Sequence, residues 1–245
     1  MKNYTPAADL LKDRILLVTG AGQGLGRAAS LAFARLGATV ILLGRTVKKL
    51  EATYDEIMAA GGAQPAIFPM DIGAATDANF EEMAQAIGYQ FRHLHGIVHC
   101  AAHFEALQPQ SLETLTDWLT LFRVNAAAPA AINRSCVPYL ELGAGSVILV
   151  GETHGHNPVA YWGGFAVSKA ALEAYFKVQA DEWSDTPMRI NLLLPGPFHS
   201  PQRTRTHPAE DMRQLPSPEE IASWLVWLMG DDSKEIRGQI VSCTD

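Results

Sequence analysis

The chain has few cysteines, no long apolar run and no excess of positive charge. Its three cysteines, Cys100, Cys136 and Cys243, are widely spaced and odd in number, so they imply neither a disulfide framework nor a cysteine metal motif. The longest apolar runs, such as 221–229, are too short to span a bilayer, and no signal-peptide pattern is visible at the N-terminus. We therefore expect reduced thiols and a cytoplasmic protein.

The net charge of −7 also limits the classes of partner that we expect the chain to bind. An acidic chain is poorly suited to general binding of nucleic acid or of anionic membranes, although a local basic pocket for a phosphate remains compatible with it. We therefore expect a small-molecule ligand, and neither nucleic acid nor a membrane as a partner.

Apolar, β-rich runs alternate with amphipathic segments along all 245 residues. This pattern predicts an α/β fold, a doubly wound seven-stranded parallel sheet with helices on both faces. The expected strands are 14–19, 39–43, 66–69, 96–101, 146–150, 189–194 and 239–242. The expected helices are 25–36, 47–60, 77–91, 112–140, 165–182 and 218–229, with Pro138 ending or kinking the fourth. Without a natural break, residues 1–245 are expected to form one domain.

Residues 195–217 differ from the rest, since they hold five prolines and are mostly polar. They follow the carboxyl end of the sixth expected strand, which is where ligands bind in a doubly wound sheet. We predict that residues 197–217 form a substrate lid. The alternative is a solvated loop with no role.

A glycine-rich turn, TGAGQGLG at 19–26, follows the apolar strand ILLVT and opens the helix LGRAASLAFARLG. This context makes the turn a strong signal for dinucleotide binding. Gly20 permits the tight turn, Gly24 lets the backbone approach a pyrophosphate, and Gly26 allows close helix–strand packing. The helix N-terminus then attracts phosphates. The expected cofactor contacts are Thr19, Gly20, Gly22, Gln23, Gly24, Leu25 and Gly26; a purely structural turn is the alternative.

The end of the second strand bears on the choice of cofactor. An NAD-selective fold places an acid there, whereas this chain continues from Gly44 to Arg45 and Thr46. A guanidinium favours a 2′-phosphate because its fork matches phosphate geometry. We therefore expect Arg45 and Thr46 to contact NADP(H), which is favoured over NAD(H). Alternatively, Arg45 is only a surface charge beside a helix.

The glycine turn and Lys169 in GGFAVSKAAL (163–172) resemble the short-chain dehydrogenase/reductase family, which has Thr-Gly-x-x-x-Gly-x-Gly near its N-terminus and Tyr-x-x-x-Lys further on. The resemblance covers residues 12–242. The N-terminal arm, VILLGR and WLMGDDS extend it to a bacterial oxoacyl-carrier-protein-reductase-like subgroup. It implies a Rossmann-type fold and further cofactor contacts at Asp71, Ile72, Cys100, Ala101, Lys169, Pro195 and Gly196.

The resemblance also implies four catalytic positions, Asn125, Glu152, Phe165 and Lys169. Asn125 and Lys169 match the family, and Lys169 would bind the nicotinamide ribose. Phe165 stands where the family has its tyrosine proton donor, and Glu152 stands where it has a serine. A phenyl ring has no proton to give, and the loss of a general acid costs roughly 10²–10⁴-fold in rate.

Other side chains could replace the tyrosine. Tyr161 lies one helical turn before Phe165. Histidine is a competent acid at neutral pH, and several histidines follow expected strand ends: His99, His103, His154, His156 and His199. Glu152-x-His154-x-His156 also resembles a metal ligand set, but no further ligand stands at a diagnostic spacing, so we expect no metal.

Two functions therefore stay open. The first is an NADP(H)-dependent oxidoreductase that reduces a small carbonyl with a non-standard proton donor. The second is a non-catalytic NADP(H)-binding protein, either a sensor or an inactive subunit. The family resemblance favours the enzyme. It also implies a homo-oligomer, a dimer or tetramer, because the apolar faces of helices 112–140 and 165–182 resemble the family's dimer interface.

Overall fold

The computed structural model describes residues 4–244, and their core is a seven-stranded sheet. Residues 1–3 of the expected N-terminal arm, and Asp245, lie outside the described residues. The strands are β1 (Ile15–Thr19), β2 (Thr39–Gly44), β3 (Ala66–Pro69), β4 (Gly96–His99), β5 (Ser146–Val150), β6 (Arg189–Leu194) and β7 (Ile240–Ser242). They run parallel in the order β3-β2-β1-β4-β5-β6-β7, which confirms the predicted doubly wound topology.

Nine α-helices connect and cover the strands within residues 4–244. They are α1 (Gly24–Arg35), α2 (Val47–Ala59), α3 (Asp77–Phe91), α4 (Leu115–Phe122), α5 (Ala128–Leu142), α6 (Thr153–His156), α7 (Gly163–Glu182), α8 (Pro201–Thr206) and α9 (Pro218–Met229). None of these helices has the length and apolar character needed to cross a membrane.

The central strands are apolar throughout because both faces of the sheet are buried. In β1, Leu16 and Val18 belong to the core on the side of α1, α2 and α9. Leu17, which points the other way, packs in the core formed with α3, α5 and α7. All three side chains are fully buried. The two helical layers therefore leave the carboxyl edge of the sheet free for a ligand.

The prediction of one continuous helix over residues 112–140 is wrong, because the structure has two helices there. A capping box between Thr114 and Asp117 starts the helix at Leu115, and a five-residue π-helical stretch, Arg123–Ala127, separates α4 from α5. Pro138 does not end the helix, which continues to Leu142. Its ring lies on the exposed side of α5, while the same turn keeps its buried face against the sheet.

The carboxyl end of α9 is held to the sheet by Arg189, the first residue of β6. This side chain is only 7% exposed. Its guanidinium donates hydrogen bonds to the carbonyls of Leu228 at 2.9 Å and Gly230 at 2.8 Å, and also to the carbonyl of Ser233. Burial lowers the pKa of Arg189 to about 10, so the group remains charged at neutral pH.

We expect Arg189→Leu to lower the free energy of unfolding by about 3 kcal/mol, because it leaves several buried carbonyls without a donor. Arg134→Leu is the matched control, since Arg134 forms an exposed ion pair with Asp77 and such pairs contribute at most about 1 kcal/mol. Urea denaturation measures both changes. Equal losses in the two variants would contradict the role given to Arg189.

Candidate active site

A cavity of about 600 Å³ opens at the carboxyl ends of the central strands. Its volume is typical of small-molecule sites. Nearly all the cofactor residues expected from the sequence line it: Gly20, Gly22, Gln23, Gly24, Leu25, Gly26, Arg45, Thr46, Asp71, Ile72, Cys100, Ala101, Lys169, Pro195 and Gly196. The structure therefore brings together five segments that follow strands of the sheet, and Lys169 of α7.

The glycine turn forms one wall of the cavity. Gly20 and Gly24 adopt positive φ values of 70° and 53°, which a residue with a side chain rarely adopts. A Cβ on Gly20 would lie 3.0 Å from the Cα of Ala101. Helix α1 begins at Gly24, and Gln23 before it makes no side-chain capping bond. The first backbone N–H groups of α1 are therefore available to an anion.

Thr19 and Asn125 were expected in the site but do not line the cavity. The Thr19 hydroxyl accepts a hydrogen bond from the backbone N–H of Ala101 at 3.1 Å. The buried Asn125 amide accepts from the N–H of His103 at 2.7 Å and donates to the Ser168 hydroxyl at 3.0 Å. Both side chains hold the loop after β4 in place.

Basic side chains lie just after the carboxyl end of β2. Arg45 and Thr46 are exposed and line the cavity, as does Lys49, whose Nζ donates to Gln23 Oε1 at 2.5 Å. No ion pair within residues 4–244 involves Arg45. Its guanidinium is therefore free to bind an anionic group.

Lys169 projects from α7 into the cavity and is only 6% exposed. Its Nζ donates to the carbonyl of Val150 at 2.9 Å. Burial lowers the pKa of Lys169 to about 8, while the negative charge of Glu152 acts in the opposite direction. Burial also raises the pKa of the Cys100 thiol to about 12, so this thiol remains neutral.

Phe165 lies one turn before Lys169 and belongs to an aromatic cluster that sequence reasoning missed. The ring centroids of Phe165 lie 5.1 Å from Phe104 and 5.9 Å from Trp162. All three side chains are buried. Arg205 of α8 lies over the Phe104 ring at 5.4 Å. Phe165 therefore packs against aromatic rings, and the neighbouring Phe104 ring carries a cation over its face.

Glu152 and His154 lie beside this cluster and line the cavity. Glu152 Oε1 and His154 Nδ1 are 3.2 Å apart. The imidazole of His154 stacks on Trp162, with a centroid distance of 3.8 Å and an angle of 13° between the rings. The helical turn α6, which was not predicted, gives both side chains their position.

The other histidines expected near the site divide into two groups. His99 is buried away from the cavity against Asn133, and burial lowers its pKa to about 4. His156 pairs with Glu173 at 2.8 Å and does not line the cavity, and neither does His199. His103 does line it.

Two further expectations concern metal binding and Tyr161. Glu152 and His154 lie together, but His156 pairs elsewhere. Within residues 4–244, no group of three or more histidine, cysteine, aspartate or glutamate side chains could hold a metal ion. Tyr161 is 60% exposed and lies outside the cavity lining. A role for Tyr161 as proton donor therefore has no geometric support.

The segment 197–217 forms the remaining wall. Its first part, including α8, lines the cavity with the following side chains: Pro197, Phe198, Ser200, Pro201, Gln202, Arg203, Arg205, Thr206 and His207. Arg203 is paired with Glu210 at 2.5 Å, whereas no ion pair within the described chain involves Arg205. Proline content alone could not have distinguished these two arginines.

The whole chain is similar to proteins of known family. The model of the short chain dehydrogenases matches residues 14–211. The Escherichia coli K12 oxidoreductase YciK is 37% identical over 237 residues, which cover 96% of this chain and 94% of YciK.

Solved structures agree with this match. A short chain dehydrogenase from Escherichia coli CFT073, solved in complex with NADPH, aligns with a TM-score of 0.95 at 36% identity, covering 98% of this chain and 100% of that one. A Shigella flexneri 2a relative in complex with NADP aligns with a TM-score of 0.94 at 35% identity, again over 98% and 100% of the two chains. The chain therefore belongs to the short-chain dehydrogenase/reductase family, whose members are oxidoreductases that use a nicotinamide cofactor.

Proposed function

We propose that this protein is an NADP(H)-dependent oxidoreductase that reduces a small carbonyl compound with a proton donor other than tyrosine. The observation that carries the proposal is one cavity shared by the glycine turn, Arg45 and Lys169. When bound, the nicotinamide cofactor supplies the hydride. The protein binds and orients it, and supplies the proton.

The residues around the cavity fit such a cofactor. A Cβ on Gly24 would meet no atom closer than 4.0 Å, so this part of the turn leaves room for a pyrophosphate beside the start of α1. Asp71 and Ile72 would contact the adenine, and Arg45 with Thr46 the 2′-phosphate. Lys169 would bind the nicotinamide ribose, with Cys100, Ala101, Pro195 and Gly196 near the nicotinamide. The complexes of two relatives with NADP and NADPH support this choice of cofactor.

We expect Arg45→Ala to weaken NADPH binding by about 10–100-fold while NADH binding changes less than about twofold. The lost interaction is a charge-assisted hydrogen bond to the 2′-phosphate, a group that NADH lacks. Lys48→Ala is the matched control, because Lys48 is an exposed cation nearby that does not line the cavity. Calorimetric titration with both cofactors measures the effects. A parallel loss of NADH affinity would assign Arg45 another role.

The aromatic lining suggests which substrates to test. Trp162 and Phe165 face the cavity beside Lys169, and Arg205 and His207 approach from the segment 197–217. Flat conjugated carbonyl compounds would stack on such rings, and an anionic substituent would find a cation. Aromatic aldehydes, quinones and keto acids are therefore the first compounds to examine.

We expect the purified protein to oxidise NADPH with at least one compound of such a panel at a rate well above the cofactor's background. Absorbance at the nicotinamide band measures turnover, and the Lys169→Met variant is the control for catalysis at this site. If no compound raises NADPH oxidation above background although NADPH binds, the proposed reductase activity is wrong.

A second function, NADP(H) binding without catalysis, is favoured by the surroundings of Phe165. Its ring is 3% exposed and packs against Phe104 and Trp162, and a phenyl ring carries no hydroxyl group to donate a proton. In that case the double variant Phe165→Tyr with Glu152→Ser would create reductase activity that the unchanged protein lacks.

We also propose that residues 197–217 act as a lid over one domain formed by residues 1–245. The support is that α8 lies over the cavity, with Arg205 resting on Phe104. NADPH should then slow tryptic cleavage after Arg205, and unchanged cleavage would argue against closure.

Apolar side chains on α4 and α7 support a homo-oligomer. Leu115 is 75% exposed, Leu119 61% and Val178 59%. Such residues avoid water when a second copy covers them. Light scattering should therefore give a mass of two or four chains, and Leu119→Glu should shift the mass towards a single chain. A single 26.6 kDa species in the unchanged protein would contradict this expectation.

A further inference from the structure

We propose that His154, held by the carboxylate of Glu152, is the proton donor of this enzyme. This inference rests on the proposed reductase function and names the group that replaces the missing tyrosine hydroxyl. His154 would be a catalytic residue that touches the substrate, and Glu152 would be a positioning residue that acts through it.

Three histidines line the cavity, and their partners separate them. His103 Nε2 lies 2.5 Å from Glu105 Oε1, and its backbone N–H is bound by Asn125, so the loop holds this residue. His207 Nδ1 lies 2.8 Å from the hydroxyl of Thr206 on the segment 197–217. His154 is the one of the three that contacts the aromatic cluster around Phe165.

The imidazole of His154 is held on two sides. Glu152 Oε1 lies 3.2 Å from Nδ1, and the Trp162 ring supports one face at 3.8 Å. Trp162 in turn packs on Phe165. Within residues 4–244, Nε2 has no hydrogen-bond partner, and the side chain is 23% exposed. One nitrogen is thus engaged by a carboxylate, while the other is available to a ligand in the cavity.

Glu152 lies close to both His154 and Lys169, the buried cation of the site. Its negative charge acts on Lys169, where it opposes the lowering of the lysine pKa by burial. On the other side of the cavity, burial and Arg203 lower the pKa of His207, and His154 contributes to that effect. His154 therefore has the carboxylate of Glu152 on one side and His207 of the segment 197–217 on the other.

This arrangement suits the proton transfer that the reduction needs. Hydride addition to the carbonyl carbon moves the π electrons of the C=O bond onto oxygen, which becomes an alkoxide. The alkoxide takes the proton from Nε2 of the His154 imidazolium and leaves as the alcohol. The neutral imidazole then regains one proton from the solvent, so that each turnover consumes one proton together with the hydride of the cofactor. Glu152 accepts a hydrogen bond from the proton-bearing Nδ1, so that Nε2 is left to serve the substrate.

The first test compares three variants in steady-state kinetics with the best substrate of the panel. His154→Gln should lower kcat about 100-fold or more and change KM for NADPH less than about twofold. Glu152→Gln should lower kcat about tenfold, because the hydrogen bond to Nδ1 survives but the charge does not. His156→Gln, two residues away and outside the cavity lining, should leave kcat within about twofold of the unchanged protein.

The second test does not depend on turnover. In the NMR spectrum, the imidazole resonance that disappears in His154→Gln should shift when NADP⁺ is added, because His154 lines the cofactor cavity. The resonance that disappears in His156→Gln should not move. The spectra of the variants also show whether each one is folded.

The outcomes separate the two proposals. Full activity in a folded His154→Gln variant, or a His154 resonance unmoved by saturating NADP⁺, would overturn the role of His154 and leave the reductase function standing. If the unchanged protein binds NADPH but reduces no compound, the reductase function fails, and the proton donor fails with it.

Discussion

The site depends on the close contact between the first helix and the ends of β1 and β4. A Cβ on Gly26 would overlap the carbonyl of Gly20, and one on Gly20 would press on Ala101. Because neither side chain exists, α1 starts directly above the sheet, and its free N–H groups open into the cavity. The hydrogen bond from Ala101 to Thr19 then keeps β4 in register with this turn. One steric constraint thus determines where a dinucleotide can lie.

Around this contact, the cavity has one part lined by basic side chains and another part lined by aromatic rings. Arg45 presents an exposed positive charge to the cavity, and Lys169 presents a buried one. Asn125 keeps its buried amide bonds to the loop after β4 and to α7. Phe165, by contrast, sits among rings that could not satisfy a hydroxyl group on that side.

Packing accounts for the features that sequence patterns missed. The apolar period over 112–140 is continuous, so it concealed the π-helical stretch that turns Asn125 inward. Proline usually ends or kinks a helix, but Pro138 lies on the exposed face of α5, whose opposite face is held by packing, and the helix continues to Leu142. Phe104 follows β4, and Arg205 and His207 belong to the segment 197–217, so no local spacing links them to Phe165. The histidines could be counted in the sequence, but only their partners distinguish His154 from His99 and His156.

The sequence by itself determined the parallel sheet, the order of its elements and the glycine turn, because these depend on local periodicity and on residues that lack a side chain. It also showed that Phe165 has no proton to give. The tertiary structure decided which groups surround that ring, since the packing of α6 against α7 joins residues that lie in separate segments of the chain. The pairing of Glu152 with His154, and the stacking of His154 on Trp162, exist only in the folded protein.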